Sequence, residues 1–338
     1  MASAAAVPTS GALEELDGTP IGPPTRRSGW ARGVRDATAL VAARPDLWLF
    51  GLIAFLARGG VLLVLAPIVT LPTFINIVNT VGPTSVTAAV VATALAGIAA
   101  AAWAETAGYR AAVAPDPDDP ASGLLDSAAR RALPTGASVA MRVATVRMVM
   151  LAPVLAAVAY GVPAYVSVAY GELVNPSNLS VPLPFRVLAG APLPSALLVA
   201  AWLLGEVVGG LAARRVVLRG AGVVRAVAGG LADLFRAPHL GLLTTALGVA
   251  GSVLVLLPAL LLTGFAWEEA RVALGGGGDG LMVLVTTLIL AGAWGLTLVV
   301  AGGSAAWRSA LWTVEVIRRS GVTIRRPPSS EGLSSGGE

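Results

Sequence analysis

The 338-residue chain has no cysteine, no lysine and a single histidine, and only 12% of its residues are charged. Each scarcity excludes something. Without cysteine there is no disulfide, no thiolate metal site and no thiol nucleophile. With His239 alone, a zinc or haem centre built from protein ligands is not expected, and no cofactor or metal is expected anywhere. A soluble domain carries about 25% charged residues. A chain that is 56% hydrophobic, with a mean hydropathy of +0.79, cannot surround its core with a polar shell. The composition is that of an integral membrane protein, and its all-arginine, Ala/Gly/Val-rich character suits a bacterial plasma membrane.

What is present is a series of long apolar runs. A helix needs about 20 mostly apolar residues to cross roughly 30 Å of hydrocarbon. Runs at 47–71, 86–104, 148–170, 195–213, 240–265 and 281–301 meet that length. The expected fold is therefore an all-α integral membrane protein whose six transmembrane helices form three hairpins, with amphipathic helices at the cytoplasmic surface. Pro153, Pro163 and Pro258 fall inside runs three and five and mark expected kinks. Residues 1–28 and 321–338 are small, polar and proline-containing and are expected to be disordered tails around a membrane domain at 29–320. The first of these lacks the basic start and apolar stretch of a signal peptide.

The arginines orient the runs, because basic residues concentrate in short cytoplasmic loops. Five precede run one (Arg26, Arg27, Arg32, Arg35, Arg44) and five separate runs two and three (Arg110, Arg130, Arg131, Arg142, Arg147). Five more separate runs four and five (Arg214, Arg215, Arg219, Arg225, Arg236), and five follow run six (Arg308, Arg318, Arg319, Arg325, Arg326). Only Arg186 and Arg271 fall on the other side. Both termini are therefore expected in the cytoplasm, with the arginine clusters meeting anionic lipid headgroups. Although the pI is near 10.3, this partition among membrane flanks excludes a nucleic-acid-binding domain, leaving membrane lipids and other proteins as expected partners.

The inner segments repeat weakly. "VRDATALVAARPDLWLF" leads into run one and "VRAVAGGLADLFRAPHLGLL" into run five, each joining an amphipathic stretch to an Arg/Pro pair and then the run. "SAARRALPTGASVAMRVATVRMVMLAP" before run three is a looser third copy. Helices lying on the cytoplasmic surface are expected at these places, and again at "AWRSALWTVEVIRRSG" after run six. The "RPDLWLFGLIAFL" and "FRAPHLGLL" segments resemble six-span bacterial membrane proteins grouped with the membrane domain of glycerophosphoryl diester phosphodiesterases. The resemblance implies a membrane layout only. The His and acidic residues of that family's soluble catalytic domain have no counterpart in this chain.

No other motif signals chemistry. "GGGGDG" lacks the Lys-Ser/Thr of a phosphate-binding loop, and "APDPDDPASG" reads as a solvated linker. The Asn178-Leu179-Ser180 sequon is not expected to be glycosylated in a bacterial chain. No nucleophile and base stand together, so an enzyme is not expected. Trp48, Trp103, Trp307 and Trp312 lie near run ends, as interface anchors do, with Trp202 and Trp294 deeper. His239 and Glu105 are expected at the interface.

The exceptions are two ionisable residues inside runs. Arg58, in "AFLARGGVLL", lies twelve residues beyond Asp46, about 18 Å along a helix. An arginine at that depth costs roughly 2.5–3.5 kcal/mol on insertion scales. Glu206, in "WLLGEVVGG", is eight residues before Arg214, about 12 Å from the inner end of run four. Side chains tilt toward the N-terminus of their own helix, so in oppositely directed runs these two lean toward each other. Gly59 and Gly60 beside the arginine, and the G-x-x-x-G of Gly205 and Gly209 around the glutamate, suit close helix packing. The expected site is therefore an Arg58/Glu206 pair. It serves either as a structural ion pair or as part of a site for an anionic substrate, lipid headgroup or proton. The function expected is that of a transporter-like or lipid-contacting membrane component, the alternative being a non-catalytic scaffold or assembly partner without a substrate.

Overall fold

The computed structural model describes residues 28–65, 80, 82–114, 133–134, 136–178, 181, 183–276 and 279–319. The tails, the "APDPDDPASG" linker, most of the "FINIVNTVGPTS" loop and the end of run one lie outside the described residues. Among those described the structure is helical, with no strand. Six helices are long and apolar enough to cross a membrane: Asp46–Leu65, Thr84–Val113, Ala137–Val174, Pro192–Arg219, Gly241–Gly275 and Gly280–Ile317, called spans one to six below.

Several helices run well past the apolar windows that announced them. Span three begins at Ala137, so Arg142 and Arg147 stand on the helix and not in a loop before it. The segment "AWRSALWTVEVIRRSG" is not a separate surface helix. It continues span six in one 40-residue helix, Gly280–Arg319, and its apolar side chains turn inward: Trp312, Val314, Val316 and Ile317 are buried in protein, not lipid-facing. The reason is packing. Ala310, Leu311, Val314 and Ile317 cover Ala37, Leu40 and Val41 of the first helix, Ser28–Ala43.

Short helices precede spans one and five. Ser28–Ala43 ends at Arg44-Pro45 before span one, and Val223–Arg236 ends at Ala237 before the helix Pro238–Gly275. In the first junction Arg44 donates from Nε and Nη2 to the two Asp46 carboxylate oxygens at 2.9 and 2.7 Å, and from Nη1 to the Ala114 carbonyl at 3.1 Å. The "RPD" segment is thus a fork that locks the start of span one to the end of span two. At the second junction Arg215 of span four holds Asp233 at 2.7 Å.

Each helix packs on its sequence neighbour, one on two, two on three, three on four and five on six, and span six returns to span one. This closes a ring. The return contact depends on glycine: a Cβ on Gly51 would lie 2.5 Å from the Gly302 carbonyl oxygen, and one on Gly302 would lie 2.7 Å from that of Trp48. Backbones at that distance admit no side chain. Spans five and six are further tied by a buried pair of hydroxyls, Thr263 and Thr297, 2.8 Å apart, each also reaching the carbonyls of Ala259 and Ala293. Elsewhere the spans turn large apolar side chains outward, with Leu254 76% and Phe265 70% exposed, as a lipid-facing surface requires.

Gly59 and Gly60 act differently from the helix-packing role expected of them. The helix widens into a π-type turn over Leu56–Gly60, where Gly59 adopts φ 100° with nothing within 4 Å of a would-be Cβ. A side chain there would meet strain and no steric neighbour. At Gly60 the space is taken by the Phe55 ring of the same turn. Gly205 and Gly209 lie against span three: Cβ atoms there would come 3.2 Å from the Met150 carbonyl oxygen and 3.0 Å from Arg147 Nη1.

Candidate functional site

Arg58 occupies the last turn before the helix breaks at Gly59, which adopts φ 100°. Its ion-pair partner is Glu105 of span two, not Glu206. Glu206 pairs instead with Arg308 of span six, at 3.6 Å. The expected direct pair is therefore corrected to two neighbouring pairs. The physical reason lies in the ring order, since span two sits directly against span one and a Cβ on Gly97 would lie 2.7 Å from the Ala57 carbonyl oxygen.

Glu105 was expected at the interface but is 6% exposed. Span two continues as helix to Val113, which carries Glu105 about two turns inside its end. Its Oε2 accepts Arg147 Nε and Nη2 at 3.1 and 2.9 Å, and the Tyr109 hydroxyl at 3.3 Å, while Oε1 faces Arg58. One carboxylate therefore serves two guanidinium groups from two other helices.

Arg214, expected at a lipid headgroup, is 2% exposed. It stacks over the Tyr109 ring at 4.3 Å and donates to Thr313 Oγ1, the Gly210 carbonyl and the Ser309 carbonyl at 3.2, 2.9 and 2.8 Å. All of these partners are neutral, so its charge is solvated by dipoles and a π face. Glycines let the other stems through: Gly209 of span four lies against Arg147, and a Cβ on Gly248 of span five would lie 2.8 Å from Arg308 Cγ.

These groups meet around a cavity of about 380 Å³ between the spans. Its charged lining is Arg58, Arg147, Arg214 and Arg308 against Glu105 and Glu206, an excess of two positive charges. Arg58, Glu105, Arg147, Glu206 and Arg308 lie eight to thirteen residues from helix ends that all belong to one end of the bundle, so five helices deliver them to a depth of about 12–20 Å, with Arg214 nearer its helix end. The cavity is not sealed by its ion pairs. The side chains of Arg58 and Arg308 are each 28% exposed and that of Glu206 is 24% exposed, whereas Glu105 at 5% is enclosed. Arg58, Arg308 and Glu206 form the open face of the site, with Glu105, Arg147 and Tyr109 behind Arg58.

Sequence reasoning reached Arg58 and Glu206 and missed Glu105, Arg147, Arg214 and Arg308 as site residues. A usable signal existed in "AETAGYR": Glu105 and Tyr109 are four apart, so a helix continuing past the apolar window stacks them on one face. His239 stands exposed at the second position of its helix, away from the cavity lining.

Among the described residues, the fold and site define a class: helical throughout, with six helices long and apolar enough to cross a membrane and a net-cationic cavity between them. No protein-family model, curated protein or solved structure matches the chain.

Proposed function

We propose that the protein is a non-enzymatic, multi-pass membrane component, transporter-like or lipid-contacting, whose central cavity receives an anionic group. The observation that carries this reading is the charge excess in an accessible cavity. Intramembrane ionisable residues face bundle interiors and pair with one another. Arg58 and Arg147 share Glu105, Arg308 pairs with Glu206, and Arg214 adds a fourth positive charge with no carboxylate partner, so the cavity lining carries an excess of two positive charges. An anion entering beside Arg58 and Arg308 completes the balance with charge-assisted hydrogen bonds. The reading includes a bacterial plasma membrane with both termini in the cytoplasm, supported by the arginine partition.

The scaffold alternative draws on one observation, the bonding of Arg214 from each of its three nitrogens to neutral groups of the protein, which needs no ligand. Thermal unfolding of the purified chain in detergent separates the two. Inorganic phosphate at constant ionic strength raises the midpoint if the cavity binds anions, because a ligand that binds only the folded state stabilises it. The Arg58→Gln and Arg308→Gln variants lose that increment. A midpoint insensitive to phosphate in the wild type favours the scaffold.

A further inference from the structure

A second concavity lies next to the cationic one. It is an apolar groove of about 660 Å³ on the outside of spans four and five, lined by Trp202 and Leu203 from one and by residues from Leu242 to Leu254 of the other. Its one hydroxyl, on Thr245, donates to the Gly241 carbonyl at 2.9 Å and asks nothing of a ligand. Trp202 lines both the groove and the cavity. Span five is shared in the same way: Ser252 and Leu256 face the cavity, while Val249 and Val253 face the groove. A polar, positively charged chamber and a dry furrow are thus separated by a single tryptophan and one helix face.

We infer that the occupant is an anionic phospholipid, with its headgroup phosphate at Arg58 and Arg308 and one acyl chain laid past Trp202 into the groove between spans four and five. The inference rests on the anion-binding reading of the cavity and adds the substrate class. Three observations converge on it. The charge excess selects an anion, and the two most accessible guanidiniums of the cavity lining, Arg58 and Arg308, offer it charged donors. The groove faces outward from a span of the membrane, where the molecules at hand are lipid chains, and its side chains offer only apolar contact. Trp202 itself is 39% exposed, so the boundary between the two compartments is a side chain and not a backbone wall. A soluble anion would use the cavity and leave the groove unexplained, and a zwitterionic lipid would use the groove and leave the charge excess unexplained.

The test is native mass spectrometry of the full chain in detergent with dioleoyl phosphatidylglycerol or dioleoyl phosphatidylcholine, alongside thermal shifts with inorganic phosphate. The wild type is expected to retain phosphatidylglycerol at least tenfold more tightly than phosphatidylcholine. Ala246→Trp and Ala250→Trp, made separately so that one misfolded variant does not decide, fill the groove at exposed positions. Each is expected to lose phosphatidylglycerol about tenfold while keeping the phosphate-induced thermal shift. Arg308→Gln is expected to lose both. If the groove-filled variants retain phosphatidylglycerol at the wild-type level while Arg308→Gln does not, the acyl-chain site is wrong and the anionic cavity stands. If phosphate shifts the wild type and the two lipids are retained equally, the ligand is a soluble anion and the lipid assignment is overturned. If neither phosphate nor lipid headgroup makes any difference, the cavity reading fails with it.

Discussion

Neutralising Glu105 is the most informative single change, because one enclosed carboxylate holds two cations from neighbouring helices. In Glu105→Gln the amide keeps the shape and one acceptor, but Arg58 and Arg147 lose their counter-charge. Removing one partner of a buried ion pair costs about 3–5 kcal/mol, because the other charge is left uncompensated. Partial exposure of Arg58 places the expected loss toward 3 kcal/mol. The reverse change is milder. Arg58→Gln leaves Glu105 bonded to Arg147 and Tyr109 and also relieves repulsion between guanidiniums, so about 1.5 kcal/mol or less is expected, the low end for a hydrogen bond to a charged group. Equilibrium unfolding in mixed micelles measures both changes and the double variant. The coupling energy of Arg58 with Glu105 should lie in the range of about 0.5–3 kcal/mol found for contacting groups, and that of Arg58 with Glu206 should fall below it. Equal losses for Glu105→Gln and Arg58→Gln, or stronger coupling of Arg58 to Glu206, would refute the two-cation role of Glu105.

Other outcomes follow from the packing and topology. Gly51→Ala forces a methyl against the Gly302 carbonyl, so span one must move off span six; a loss of about 1–3 kcal/mol, the usual cost of overpacking, is expected in the same assay. Thr263→Val with Thr297→Val removes the buried hydroxyl pair, and the double-mutant coupling should be about 0.6–1.7 kcal/mol, as for other hydrogen bonds between membrane helices. The chain has no native cysteine, so Ser177→Cys and Ser28→Cys report topology directly. In intact cells a membrane-impermeant maleimide is expected to label the first and spare the second, and the reverse pattern overturns the orientation.

The spans were legible because their cause is local. Twenty consecutive apolar residues satisfy the length of a bilayer whatever they pack against. The site was only half legible, since a hydropathy window ends where a charge appears and cannot distinguish a charge at the membrane surface from one enclosed by other helices. Glu105, Arg147 and Arg214 fell at such window edges and Arg308 in the segment read as a surface helix, and the structure turns all four into the cavity. Arg58 and Glu206 were found because they stand inside apolar runs, but their partners depend on ring order, which tilt direction alone does not encode. The glycines divide in the same way. Gly205 and Gly209 carry a spacing that signals a close helix, whereas Gly51 and Gly302 meet across 251 positions of sequence with nothing local to mark the contact.

The central claim, that the arginine-lined cavity holds an anionic group, is tested most directly by an experimental structure of the full chain in nanodiscs containing dioleoyl phosphatidylglycerol. The account predicts density for a phosphate within hydrogen-bond distance of Arg58 and Arg308, continuing past Trp202 into the groove. A cavity closed over paired side chains, with Arg58 and Arg308 both turned onto carboxylates and no anion between them, would contradict it.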